Sequence, residues 1–360
     1  MTGEVFCVRR RGNVVHMGNA KILLPAGLAV WLACVPLACW AGPLPYSFAE
    51  VWQGLLVRCG LAEAGSMDAG ALLIIGDIRL ARVVLALLCG GALAVSGVTL
   101  QGVLRNPLAD PFTLGISAGA ACGASLVLGA GSLWLEQCGL AAHGGVVAGA
   151  AFIGALAALG CALLLGRGRG AFARETVILA GIAVATFLGA VVALIKALNE
   201  ESVTSIVFWI MGSFQGRGWD SLPWLALPLL LGGLCVACRW RELDVLALGD
   251  TQAAQLGMHV GRTRLLLLAG ASCMTAACVA VSGVIGFVGL VAPHMLRHWL
   301  GAAHGPLLTG AWLGGGILLV WADVLARTAL GGGQELPVGV VTALLGGPFF
   351  ALLVRQRGAS

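Results

Sequence analysis

The sequence predicts an all-α, polytopic membrane protein with about ten transmembrane helices. Three observations carry that expectation. Of 360 residues, 59% are apolar and only 10% are Asp, Glu, Lys or Arg, against roughly 25% charged in an ordinary soluble domain; mean hydropathy is +0.97. Uncharged stretches of about 20 residues, long enough to cross a hydrocarbon core as helices, recur along the chain. The 55 glycines suit helices packed in lipid, where small residues let backbones approach. These features exclude a soluble enzyme and a disordered chain. The excess of 21 basic over 16 acidic residues is too small and too dispersed for a nucleic-acid binder.

The apolar stretches run 22–42, 83–104, 111–135, 144–166, 177–195, 221–238, 265–300, 306–326 and 336–354. The 265–300 run is too long for one span. Arg262 and Arg264 precede it and Arg297 lies near its end, so an even number of crossings puts all three on one side; Gly283 and Gly286 offer the turn. The split makes ten spans with both termini on the same side. Fifteen of the 21 basic residues then fall on the N-terminal side, which the positive-inside rule makes cytoplasmic. Arg9–Arg11 before an apolar run resembles a signal peptide, but the 22–42 run is long and lacks a small-residue cleavage site. It reads as a retained first span behind a cytoplasmic tail of residues 1–21, and 22–357 as one ten-helix transmembrane domain. Residues 203–216 are apolar but too short to cross, and read as an interfacial or re-entrant helix. The longest polar-leaning loops are 43–82, outside, and 239–264, inside.

Much chemistry is missing. No G-x-x-x-x-G-K-S/T phosphate loop occurs; the lysines, Lys21 and Lys196, sit in no such context. Span interiors are nearly free of ionisable groups, unlike a proton relay. Asp323 is the main exception, and Arg327 follows it at i+4, within pairing reach. Most cysteines lie inside apolar runs and read as small apolar residues. The histidines are scattered on loops and span ends.

Four segments are informative. In 79–121, Asn106-Pro107 and Asp110-Pro111 end one helix and start the next, making a tight polar turn. Gly90, Gly91, Gly97, Gly115, Gly119 and Gly123 recur there at roughly helical spacing, giving flat packing faces. In 246–265, one short helix lies between Gly249 and Gly257: Asp250 and Thr251 can cap its start and Gly257 can stop it. It is either a plain loop helix or a handle for a cytoplasmic motor. The third segment is 283–301. In the last, 335–357, Pro337 starts a helix that Gly346, Gly347 and Pro348 interrupt.

The stretches SGVTLQGVLRNPLADP, ILAGIAVA, WIMGSFQGRGW, LALGDTQAAQLG, GVIGFVGLVAPH, ADVLART and ELPVGVVTALLGGPFF resemble, in order, the FecCD-type permeases of ABC importers for vitamin B12, ferric siderophores and haem. The resemblance spans about residues 45–357. It implies a ten-span importer permease in the bacterial inner membrane, working as a dimer (two copies of this chain, with a heterodimer left open). Two ATP-hydrolysing subunits, which carry ATP and Mg, would bind the cytoplasmic face, and a periplasmic or lipid-anchored substrate-binding protein would dock outside. No cofactor is implied on this chain, which is not itself an enzyme. Arg79, Arg82 and Arg327 match the family's docking arginines. Gly249, Asp250, Gln252, Leu256 and Gly257 match its ATPase-coupling element, and Asn106 and Leu108, facing Arg174, Glu175 and Thr176, its cytoplasmic gate. The implied cargo is an iron chelate, siderophore or haem, carried through a largely apolar, glycine-lined cavity. Cobalamin is the alternative within the family, and a stand-alone carrier or channel the alternative outside it.

Overall fold

The computed structural model describes residues 17–63, 65, 67–130, 144–166, 174–330 and 333–358. Among these the regular structure is helical. The membrane crossings begin with α1 (Met17–Trp40). After α2 (Phe48–Arg58) comes α3, continuous over Ala69–Leu104. It is followed by α4 (Ile116–Ser125), α5 (Gly144–Leu165) and α6 (Arg174–Leu198). Beyond the short α7 (Val203–Met211) lies α8 (Leu222–Ala237). Two more short helices, α9 (Trp240–Leu248) and α10 (Asp250–Gln255), lead into α11 (Val260–Ser282), α12 (Val288–Leu300), α13 (His304–Thr328) and α14 (Val338–Gly358).

Seven helices are long and apolar enough to cross a membrane. With α4, α12 and α14 the described crossings number ten, and α2, α7, α9 and α10 are too short to cross. The 265–300 run does break, over 283–287, into α11 and α12. Its parity is also as expected: His304, after α12, binds Asp244, before α11, through its backbone N–H (2.9 Å) and Nδ1 (2.7 Å). Both ends of the pair therefore meet at the α9/α10 end of the bundle.

Two expectations need correction. The second span starts fourteen residues earlier than 83, because its first turns hold Asp77, Arg79 and Arg82, which an uncharged window discards. In the folded chain Arg79 and Arg82 are buried and internally bonded, so the helix runs on through them, as a π-helix over Leu73–Arg79. The expected outer loop 43–82 also holds α2, closed by a capping box of Ser47 and Glu50. The expected tail 1–21 and the end of the 111–135 span lie largely outside the described residues.

The centre of the bundle is α3, buried on nearly every face. Its glycines explain how. A Cβ at Gly97 would meet the Gly289 carbonyl of α12, and one at Gly90 the Gly315 carbonyl of α13. Gly119 of α4 and Gly154 of α5 face each other in the same way. The expected flat faces are contact surfaces at which backbone meets backbone.

Candidate functional site

The α9/α10 end carries the first cluster. Helix α3 stops at Arg105, in the left-handed region (φ +49°). In the turn that follows, Asn106 Oδ1 accepts the Leu108 N–H (3.0 Å) and Asp110 Oδ1 the Phe112 N–H (2.9 Å), each side chain replacing backbone partners that proline denies. Desolvation raises the Asp110 carboxyl to about 6, with the Phe112 N–H working against the shift. Pro111–Leu114 form a 3₁₀ turn seated on α6, where a Cβ on Gly181 would meet Thr113 and Leu114 backbone. Glu175 and Thr176 are exposed at the start of α6. The side chain of Arg174 lies outside the described residues. No described hydrogen bond or ion pair joins Asn106 or Leu108 to Glu175 or Thr176.

Arg105 ties this turn to the short helix. Its Nε donates to the Leu246 carbonyl (2.8 Å) and its guanidinium lies 3.6 Å from Asp250. Asp250 also takes Arg264 Nη2 on both oxygens (3.0 and 2.9 Å). The capping expectation is thus corrected: Gly249 is the N-cap and makes no side-chain cap bond, while the Asp250 carboxylate faces two arginines. The stop is as expected. Gly257 has φ +84°, and Met258 N–H returns to the Ala253 carbonyl (3.1 Å). Gln252 is exposed and folds its Oε1 over Gly249; Leu256 projects, 67% exposed. The result is a braced knob with an apolar tip, wired through Asp250 and Arg105 to the turn between α3 and α4. Sequence reading missed Arg105 and Arg264, whose partners are set by chain crossings.

The α2/α7 end carries the second. Arg82 binds Asp323 through Nε (3.0 and 2.9 Å) and Nη2 (2.8 Å), and Glu335 through Nη1 (2.8 Å). Arg327 Nη2 donates to the Ala38 carbonyl (2.6 Å), and its Nε lies 3.7 Å from Asp323. Arg79 donates to the Cys39 (2.9 Å) and Leu44 (2.6 Å) carbonyls and lies over the Tyr46 ring. The three arginines assigned to docking are 4%, 6% and 3% exposed. In this conformation they turn inward and are engaged by their own chain. The expected i+4 pair of Asp323 with Arg327 is its weaker contact; the stronger is Arg82, 241 positions away.

Two cavities adjoin these elements. One of about 490 Å³ between α4, α5 and α6 is apolar and bordered by Gly119, Gly123 and Gly154. The other, about 280 Å³, opens beside α7 and is lined by Trp209, Ser213, Gln215, Arg217 and Glu335, among others.

Ten crossings around a glycine-packed central helix, with a braced short helix exposed at one end, suit a transport permease. The chain belongs to the FecCD transport family, whose profile matches residues 30–356. It is 38% identical over 349 residues to the cobalamin import system permease protein BtuC of Halobacterium salinarum, covering 96% of this chain and 89% of that one. It is 45% identical over 287 residues to the hemin transport system permease protein HmuU of Yersinia pestis, covering 78% and 83%. Among solved structures, a metal-chelate type ABC transporter in an inward-facing conformation superposes with a TM-score of 0.78 at 29% identity, over 93% of this chain and 99% of that one.

Proposed function

We propose that this chain is the membrane permease of an inner-membrane importer for an iron chelate, haem or siderophore, with both termini cytoplasmic. Cobalamin is the second reading, favoured by the Halobacterium relative's name. The chain works as a homodimer. Two ATPase subunits, holding ATP and Mg, grip α10 from the cytoplasm, and a substrate-binding protein docks at the α2/α7 end. Arg79, Arg82 and Arg327 serve docking there by holding α1, α3, α13 and Glu335 in place. The observation that carries this reading is the knob itself: an exposed Leu256 on a helix locked to Arg105 and Arg264. Force applied to α10 is delivered through Arg105 to the Asn106–Leu108 turn, the inner gate, and the start of α6 with Arg174, Glu175 and Thr176 forms the gate's other wall. Shifting such a two-state machine almost completely needs on the order of 5.5 kcal/mol of differential binding, which nucleotide and partners supply.

The test is Leu256→Asp in the assembled complex in liposomes. ATP hydrolysis that continues while chelate uptake falls at least tenfold supports the reading; unchanged uptake per ATP refutes it.

A further inference from the structure

The cavity beside α7 has a feature the import reading does not use. Two buried donors on its wall, the Trp209 indole N–H and Arg217 Nε, have no hydrogen-bond partner among the described residues. A buried donor left unmade costs about 1–3 kcal/mol, so such groups in a native wall call for an explanation. No described carboxylate lies within ion-pair distance of Arg217. The one acid on the same wall, Glu335, is already held by Arg82 at 2.8 Å, so it does not cancel the Arg217 charge inside the cavity. Loop geometry keeps the arrangement open. Gly212, at φ +71°, turns the chain out of α7; Ser213 N–H binds the Ser282 carbonyl (2.7 Å) and Gly339 N–H the Gly212 carbonyl (3.2 Å). The 213–217 hook is thereby anchored to the 282–284 break and to the start of α14, and a Cβ on Gly144, at the start of α5, would lie 3.5 Å from Arg217 Nη1. Asp220, three residues on, favours its charged form against the burial that lowers its pKa.

We propose that this cavity is an entry subsite for a cargo bearing a carboxylate, with Arg217 binding that group and the Trp209 indole donating to the same cargo. The proposal rests on the import reading and narrows it to anionic chelates. At about 280 Å³ the space takes one arm of a chelate, not a whole macrocycle. A planar guanidinium facing a carboxylate is a strong, charge-assisted pairing in a site of low dielectric.

The test uses the purified full-length chain in lipid nanodiscs, with hemin, which has two carboxylates, and hemin dimethyl ester, which has none, followed by quenching of tryptophan fluorescence. Wild type binds hemin about tenfold more tightly than the ester. Arg217→Gln removes that preference and Arg217→Lys keeps part of it. Partitioning of each ligand into protein-free nanodiscs is measured and subtracted, because the uncharged ester enters lipid more readily than hemin. Equal affinity of wild type for hemin and ester overturns the subsite, as does an undiminished preference in Arg217→Gln. If the Gln variant does not fold, the wild-type ratio and the Lys variant decide. A wild type that shows no preference but keeps ATP-driven uptake sinks the subsite alone, whereas a wild type with the preference but without any ATP-driven uptake sinks the import reading.

Discussion

At the scale of single residues, charge is placed where it costs most and is matched by partners. Arg82 is the clearest case, a buried guanidinium saturated by Asp323 and Glu335. Removing one member of a buried pair costs about 3–5 kcal/mol, because the others stay behind unpaired. Arg82→Met is therefore expected to lower the thermal midpoint in detergent strongly. Adding Glu335→Gln should recover part of the loss, since Asp323 keeps Arg327 at 3.7 Å; a double variant no better than the single one contradicts the network. Asp110 gives a pH signature. Its carboxyl is raised to about 6, so the folded state favours the neutral acid. Stability is then full at low pH and falls as pH rises from the ordinary carboxylate range through about 6. Asp110→Asn keeps the acceptor for Phe112 N–H but cannot ionise. It should melt above wild type at about pH 7.5, with the gap closing by about pH 4; a pH-independent gap would show that Asp110 is not desolvated.

At the scale of elements, the bundle is assembled by close approach. Gly97 meets the Gly289 backbone of α12, and no rotamer change relieves a clash with a carbonyl. Gly97→Val should abolish folded yield, measured by size-exclusion chromatography, while Gly160→Val, where a Cβ meets nothing within 4 Å, should leave it unchanged. The knob helix α10 is too short to be stable alone; Asp250 with Arg264 and Arg105 holds it. Asp250→Ala should leave Leu256 exposed but loosen its transmission, giving ATP turnover with reduced uptake, a milder form of the Leu256→Asp phenotype. Uptake at the wild-type ratio would show that the brace is dispensable.

At the scale of the whole molecule, the two ends have different characters. One carries an exposed apolar tip on a braced helix. The other carries a buried charge network beside an open, cationic cavity. The chain as a whole belongs to the FecCD transport family. Membrane topology is open to a direct check. Single cysteines placed in a cysteine-free background at positions 256 and 302 should be labelled from the same side, and one at position 62 from the other. Labelling of 256 and 302 from opposite sides would undo the even crossing count between α11 and α13.

What could be read before folding was what is local. Helix length follows from uncharged runs, and the breaks at Asn106–Pro111, Gly249, Gly257 and Gly283–Gly286 follow from proline and glycine acting on their own neighbours. The ordered family stretches pick out the Gly249–Gly257 helix and the Asn106–Leu108 turn for the same reason: contiguous residues carry them. The inward turn of the three arginines, the Arg105 and Arg264 braces on Asp250 and the unpartnered donors beside Arg217 could not be read this way. Each depends on which helices stand side by side, and partners such as Arg82 and Asp323, 241 positions apart, are brought within 3 Å only when glycine faces on α3 let α12 and α13 close against it. Short-range stereochemistry writes the list of helices; long-range packing in a low-dielectric interior decides which charges are satisfied within the chain and which are left to meet a ligand.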